Sequence, residues 1–405
     1  MLDELWLLVI GVATVWAVWA GNSLLTLAVA LALLVSASLL FWCKYSLAGV
    51  GYKRHLAKER AMFGETIELT IELVNLKPLP LTWLQIEDKV PRRLPIEGGT
   101  VGRGPSDFFR FVTIVVAMLP YERIVRRLKV RCVRRGEHVF GPASLESGDY
   151  LGTLSRYGTA GDTDRLVVYP KIFRIELDRL PSNQILGRDA ARRTYLTDPV
   201  RAIGARDYVR GDPYRFIDWR ASARLAKLMV RIFEPSTTPI LDIVVNLRTP
   251  AGTSNNYEPD DLEFVLSVAA SLANYGLEKG WAVGLRGNGT SAGSPISVPV
   301  SAGPLQFREI LESVTRANTI PNGTIGSLLA IPRSALRSRA TLLLVTAMLD
   351  AELLVALDNL YRRGQAILVI FIAAAGTAAP PRRFPIIRID YDENWSQRDT
   401  LVLGG

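Results

Sequence analysis

The sequence predicts a multi-domain chain. An N-terminal transmembrane helical hairpin is followed by an antiparallel β-sandwich (Ig-like) and a C-terminal α/β domain with a doubly wound, Rossmann-type sheet. Three observations lead there. Residues 5–42 form two apolar runs without a charge, residues 65–73 alternate with period two, and from residue 240 apolar strands alternate with amphipathic helical stretches. The boundaries are 1–44 for the hairpin, 45–170 for the sandwich, 171–239 for an Arg/Asp-rich connecting segment and 240–405 for the α/β domain.

The 405 residues exceed one compact domain, and the 49% hydrophobic content directs attention first to a membrane segment. Residues 5–20 and 24–42 are separated by Gly21-Asn22-Ser23, which suits a turn. One continuous helix through both would be roughly 57 Å long, against roughly 30 Å of hydrocarbon, so two short spans fit better. Trp6, Trp16, Trp19 and Trp42 lie near the segment ends, where indoles favour the interface. A secretory signal needs a basic start, but Asp3 and Glu4 are acidic. Lys44, Lys53, Arg54 and Lys58 follow the second span. The positive-inside rule then places both ends in the cytoplasm, with the chain as a multi-pass protein of the cell membrane.

The next region reads as strands. Ile67, Leu69, Ile71 and Leu73 face one way, and Thr66, Glu68, Thr70 and Glu72 the other. Leu128, Val130 and Cys132 oppose Arg127, Lys129 and Arg131. The basic face reads as a solvated outer surface paired across strands with Glu68 and Glu72, in preference to a contact with anionic lipid. Short strands at 83–87 and 109–114, broken by Pro and Gly, complete the sandwich signal.

From Ile240 to Val245 the run is continuously apolar, as in a strand buried on both faces. A helix opens at Pro259-Asp260-Asp261 and ends at Gly280, followed by a strand at 281–285, a helix near 305–316, a strand at 341–345, a helix at 350–362 and a strand at 366–371. The Ser/Gly/Pro-rich stretch 287–303 reads as a loop and its flanks. Ligands of such sheets bind at the carboxyl ends of the strands, which directs attention to the loop after Val245.

Composition narrows the chemistry. The net charge of +9 favours an anionic partner without choosing among lipid, nucleic acid and acidic protein. Two cysteines and two histidines argue against a disulfide framework, a zinc cluster or a His-rich catalytic site. No phosphate-cradling GxxxxGK[ST] loop, GxGxxG turn or GxSxG elbow occurs. No catalytic residue and no cofactor are assigned.

The stretch from Arg206 to Arg224 stands apart. Arg206, Tyr208, Gly211, Asp212, Arg215, Ile217, Asp218, Trp219, Ala221, Ser222, Ala223 and Arg224 form a pattern that resembles the signature of the family called domain of unknown function fifty-eight. Arg135-Gly136-Glu137-His138-Val139-Phe140-Gly141-Pro142, with Leu145 and Asp149, resembles a second landmark of that family, RGxYxxGP. Tyr150-Leu151-Gly152 stands where Pro-Phe-Gly is usual, and Val168-Tyr169-Pro170 resembles a third landmark. The resemblance implies a membrane protein with a von Willebrand factor A-like C-terminal domain, associated with MoxR-type AAA+ ATPases in assembling protein complexes. It also implies a divalent-cation loop of DxSxS type after the first strand. Here that loop reads Asn246-Leu247-Arg248-Thr249-Pro250, so an amide, a guanidinium and a proline replace the ligands, and Thr346-Ala347-Met348 lacks the later carboxylate. Mg²⁺ wants hard oxygens and a carboxylate, so no metal is expected at Asn246, Arg248 and Pro250.

From Arg201 to Arg231 there are eight basic and three acidic residues, a net of +5. Three readings apply to its site residues, Arg206, Tyr208, Arg210, Gly211, Asp212, Arg215, Asp218, Trp219 and Arg224. They form an interdomain clamp, with Asp212 and Asp218 held by Arg206, Arg215 or Arg224 and with Tyr208 and Trp219 buried. They present a docking surface for an acidic partner such as the ATPase. Or they bind single-stranded nucleic acid, against which the three aspartates count. The resulting expectation is a non-catalytic, membrane-anchored cytosolic adaptor. The alternatives are a metal-independent hydrolase at the strand ends and a nucleic-acid-binding protein.

Overall fold

The computed structural model describes residues 11–13, 15, 16, 19, 21, 23–103, 109–177, 196–209, 214–236, 239–249, 259–317, 325–329, 340–374, 383–392 and 394–403. They fall into two compact units, Met1–Tyr169 and Pro170–Gly405.

The first unit begins with α1 (Ser23–Tyr45), which among the described residues is the one helix long and apolar enough to cross a membrane. Residues 11–13, 15, 16 and 19 are also helical, but most of the expected first span lies outside the described residues. One N-terminal span is therefore supported; the two-pass hairpin is not.

Twelve strands follow: β1 (Val50–Leu56), β2 (Arg60–Ala61), β3 (Thr66–Asn75), β4 (Leu81–Pro91), β5 (Ile96–Glu97), β6 (Thr100–Arg103), β7 (Phe109–Met118), β8 (Arg123–Arg131), β9 (Gly136–Phe140), β10 (Ala143–Gly148), β11 (Ser155–Ala160) and β12 (Asp164–Val168). They build three sheets, ordered β1-β3-β8-β5, β11-β10-β4-β7-β6 and β2-β12-β9, antiparallel except for β2 against β12. The period-two pattern works as expected. Ile67, Leu69, Ile71 and Leu73 join Leu84, Ile86, Val112, Leu128 and Val130 in one core. On the outer face Arg127 Nε lies 3.3 Å from Glu68 Oε1 and Arg123 Nε 2.8 Å from Glu72 Oε1. Such exposed pairs set register more than stability.

An ionic cluster sits inside the sandwich. Arg54 of β1 is 1% exposed and pairs with the fully buried Asp88 of β4 and with Asp164 of β12, at 2.5 and 2.7 Å. Its Nη2 donates to the carbonyls of Phe140 in β9 and of Asp162. A single guanidinium thus joins all three sheets, and its charge is compensated where water cannot reach it. Gly141 makes this possible. Its φ is 80°, and a Cβ there would stand 2.7 Å from Arg54 Nη1 and closer still to Nη2. The glycine of the RGEHVFGP stretch is therefore the space in which Arg54 lies. In the same stretch His138 is buried and hydrogen-bonded through Nε2 to the Arg134 carbonyl at 2.9 Å. Burial holds its pKa below the ordinary histidine range, and nearby Arg93 adds to this.

The second unit opens with Phe173, whose ring packs on Phe264 and Trp395, and with β13 (Arg174–Leu177). A hairpin follows, β14 (Leu196–Asp207) against β15 (Met229–Ser236), with α2 (Trp219–Leu225) in its connection. The remaining elements are β16 (Ile240–Val245), α3 (Pro259–Glu278), β17 (Ala282–Ser291), β18 (Ser294–Ser301), α4 (Pro304–Thr315), α5 (Ile325–Leu329), β19 (Thr341–Thr346), α6 (Ala351–Arg362), β20 (Ile367–Ala374), β21 (Ile386–Tyr391) and β22 (Thr400–Leu403). β22 runs parallel to β13. The main sheet has the order β18-β17-β16-β19-β20-β21, parallel except at β18. α5 and α6 cover the face carrying Val244, Leu342, Leu344 and Val369, while Gly276 of α3 lies against Leu241 and Val283 on the other.

One expectation is corrected. Residues 287–303 are not a loop: β17 continues to Ser291 and turns through Ala292 and Gly293, with φ of 50° and 84°, into β18. Two left-handed residues in a two-residue turn match the twist of the hairpin, and Pro295 and Pro299 are tolerated because β18 is an edge strand.

Replacing Gly141 with Ala is expected to expel Arg54 from its carboxylates and to cost about 3 kcal/mol or more, read as a lowered denaturant midpoint of the detergent-solubilised protein. Unfolded His138 takes up a proton near its ordinary pKa of 6.5, whereas the fold resists it, so its contribution is lost as pH falls below that value. The loss in midpoint between about pH 7.5 and about pH 5.5 should be smaller in His138→Gln than in the wild type.

Candidate functional site

Two places carry the residues singled out by sequence. The first is the hairpin β14–β15 with α2. Asp218 is the N-cap of α2, and its carboxylate accepts from the backbone N–H of Arg220 and of Ala221, each at 3.1 Å. These hydrogen bonds hold the carboxyl below the usual range. Arg231 Nε approaches the other oxygen at 3.4 Å. Asp218 N donates to the Met229 carbonyl and Ser222 Oγ accepts from Met229 N, so both ends of the cap are fastened to β15.

This anchoring sets which face of α2 looks out. Ile217 and Ser222 are buried, whereas Trp219 is 66% exposed. The expectation that Trp219 is buried is overturned: with Asp218 spent on the helix cap and Ser222 turned to the strand, the next position in the first turn points to solvent. Tyr214 is exposed and stacks on Tyr208 with ring centroids 6.2 Å apart, and Val209, Leu225 and Leu228 are exposed. Arg220 and Arg224 are exposed and have no carboxylate partner among the described residues. Arg206 donates to the Asp207 carbonyl, and Asp207 pairs with Lys227 at 2.9 Å. The expected partners of Asp218 were Arg206, Arg215 or Arg224; the observed one is Arg231. Arg210, Gly211 and Asp212 lie outside the described residues, as does the side chain of Arg215.

The second place is the carboxyl end of the main sheet. Asn246, directly after β16, is 1% exposed. Its Nδ2 donates to Thr346 Oγ1 at the end of β19 at 3.1 Å, and its Oδ1 accepts from Asn288 Nδ2 in β17 at 2.9 Å and from Arg248 N at 3.2 Å. Asn288 Oδ1 accepts from Leu247 N at 2.7 Å. Thr346 Oγ1 donates to the Met348 carbonyl and accepts from Met348 N. Three strand ends are thereby laced together by neutral groups. Above them Arg248 Nη1 lies 3.5 Å from Asp350, which caps α6 through Leu353 N. Pro250 lies outside the described residues.

A divalent cation does not fit this donor set. The amide oxygens are engaged with N–H donors, the Thr346 hydroxyl proton is committed to a carbonyl, and the nearby carboxylate already faces a guanidinium. The same commitments leave no nucleophile with a base beside it among the described residues of this cluster. Asn288 and Asp350 were not singled out by sequence. Asn288 sits in a Gly-Asn-Gly run that reads as loop, while Asp350 carried a recognisable signal, an Asp just before an amphipathic helix.

Comparison with known proteins agrees with the signature. Residues 204–380 match the family model described as "Protein of unknown function DUF58". Over that stretch, which is less than half of its length, the chain is similar to that family. It is 26% identical over 278 residues to the "Uncharacterized protein YeaD" of Bacillus subtilis (strain 168), a match covering 68% of this chain and 64% of the relative. Among solved structures, the CARDB domain of the PF1109 protein from Pyrococcus furiosus is 11% identical, covering 29% of this chain and 91% of that one, with a TM-score of 0.20. A cohesin module from Clostridium perfringens is 8% identical, covering 29% and 96%, with a TM-score of 0.21. Scores this low carry no argument about fold or function.

Asn246→Asp removes the N–H that Thr346 Oγ1 accepts and turns two acceptors toward each other. It is expected to cost about 1–3 kcal/mol in chemical denaturation. Arg248→Ala, which breaks only a partly exposed pair, should cost under about 1 kcal/mol. The reverse ranking would show that the ion pair, not the amide lacing, holds the strand ends.

Proposed function

We propose that the protein is a membrane-anchored cytosolic adaptor that acts with a MoxR-type AAA+ ATPase in assembling or remodelling protein complexes. The observation that carries this is the surface around α2. Trp219 and Tyr214 stand in solvent with Arg220 and Arg224, the residue types that dominate protein–protein hot spots, and Leu225 and Leu228 are exposed in the same segment. A water-exposed tryptophan, with guanidinium groups that have no carboxylate partner among the described residues, contributes little to the fold it sits on and fits a docking surface for an acidic partner. The likeness of residues 204–380 to that family supports the choice of ATPase by resemblance.

In this reading the α/β unit is of von Willebrand factor A type. Its order, with the first strand central and one antiparallel edge strand, supports that assignment, as does the loop after β16 where such domains gather polar groups. That loop serves as a rigid element and not as a cation site. The N-terminal region anchors the chain, with α1 and the run before it as the two spans of a hairpin and both units in the cytoplasm. Lys44 in the last turn of α1, with Lys53 and Lys58 beyond it, supports this orientation. Nothing among the described residues gives positive evidence of catalysis.

The test is direct binding between the full-length protein in nanodiscs and a purified MoxR-type ATPase from the same host. Trp219→Ala combined with Arg224→Glu should weaken binding at least about tenfold, a loss of about 1.4 kcal/mol or more, while the melting temperature stays unchanged. Undiminished binding would sink the docking reading.

A further inference from the structure

α1 does not end in a free linker. Its last carbonyls are held by the sandwich: Lys77 Nζ donates to those of Tyr45 and Ser46, and Arg156 Nη1 to that of Lys44 at 3.0 Å. Ser46 is fully buried, with its Oγ on the Cys43 carbonyl at 2.9 Å, and the Trp42 ring meets Tyr150 edge-on at 5.6 Å. Tight backbone turns, Ser46 N to Cys43 O, Ala48 N to Tyr45 O and Val50 N to Leu47 O, carry the chain from helix to β1.

The same end of the sandwich carries three loops, 76–80, 119–122 and 149–154. The first two are tied together by Asn75, whose Nδ2 donates to the carbonyls of Leu79 and Leu119 and whose N–H donates to Glu122 O. Each loop shows large apolar or aromatic side chains to solvent: Leu76, Leu119, Tyr121, Tyr150 and Leu151, between 41% and 68% exposed. Tyr121 holds a φ of 57°, a conformation that costs a tyrosine energy where glycine or asparagine is the easy choice.

The depth of these loops follows from the helix. Trp42 and Tyr45 are interfacial residue types at the end of an apolar span. The four residue steps from Trp42 to Ser46 advance the chain by roughly 6 Å, within the roughly 5–8 Å of head-group layer on each side of the hydrocarbon. Tyr150 touches Trp42 and Lys77 touches Tyr45, so the loops stand at that level. Lys44 and Arg156 add exposed positive charge there.

We propose that this loop apex is seated in the head-group layer of the bilayer. Leu76, Leu119, Tyr121, Tyr150 and Leu151 then form a second membrane contact beside α1, one that fixes the tilt of the sandwich on the membrane. The proposal rests on the reading that α1 spans the bilayer. The lipid surface is the occupant because the patch is continuous with an apolar helix and level with its interfacial aromatics, and because Lys44, Lys77 and Arg156 outnumber Glu122 and the buried Asp149 where anionic lipid would lie.

The test places a single environment-sensitive dye on introduced cysteines of the full-length protein in phosphatidylcholine/phosphatidylglycerol vesicles. The native thiols do not compete: Cys43 and Cys132 are buried, and burial, with Glu65 nearby, pushes Cys132 up to about 11. Dyes on Leu119→Cys and Leu151→Cys should be quenched at least about twofold more strongly by lipids with a shallow spin label than by those with a deep one. A dye on Met62→Cys, by β2 at the other end of the sandwich, should be quenched by neither. Dyes at 119 and 151 open to aqueous iodide, while one on Leu31→Cys in α1 is quenched by deep labels, would overturn the apex contact and leave the anchor standing. If the Leu31→Cys dye also escapes lipid quenching, the anchor itself fails. Dyes at 119 and 151 shielded from iodide but untouched by lipid labels would show a protein covering the apex, and would equally overturn the proposal.

Discussion

A guanidinium sealed from water has to satisfy its donors inside the protein, and the sandwich is arranged around that requirement at Arg54. Its partners come from β4, β9, β12 and the turn at Asp162, so the three sheets meet at one side chain. Two glycines leave the necessary room. A Cβ on Gly141 would collide with the guanidinium, and one on Gly161 would stand 2.7 Å from the ring of Tyr52, which lies beside the same cluster. The RGEHVFGP stretch, visible as a landmark without an evident purpose, is the wall of this chamber. A buried pair of this kind adds little net stability over an apolar core but is costly to break, which suits it to specifying one arrangement of sheets.

The same demand for internal partners shapes the α/β unit with neutral groups. Asn246, Asn288 and Thr346 spend their donors and acceptors on one another and on nearby backbone, closing the strand ends where related architectures gather ligands. What the unit leaves in water is the α2 surface, where Asp218 and Ser222 are tied to β15 and Trp219 is held out. A cap so well satisfied makes a rigid platform, and rigid exposed aromatics lose little entropy on binding.

Within the first unit the helix and the sandwich form one continuous piece, because carbonyls that end α1 accept from Lys77 and Arg156 of the sandwich. The direction of α1 is therefore coupled to the strands that carry Arg54 and His138.

Periodicity alone determined most of the elements. Alternation at 65–73 and 128–132 placed the correct residues in the core, and the helix 259–278 and the strands at 240–245 and 341–346 followed from apolar spacing and from Pro, Asp and Gly at their ends. These signals are local, because pleat and helix repeat act over a few residues. The hairpin 282–301 was hidden because its glycines and prolines read as loop, and only its place at the sheet edge makes them acceptable. The roles of Arg54 and Asn288, the pairing of Arg248 with Asp350, that of Arg231 with Asp218 and the outward turn of Trp219 were decided by tertiary structure alone. Each depends on which distant atoms come within hydrogen-bonding reach, and residue spacing along the chain carries no record of that.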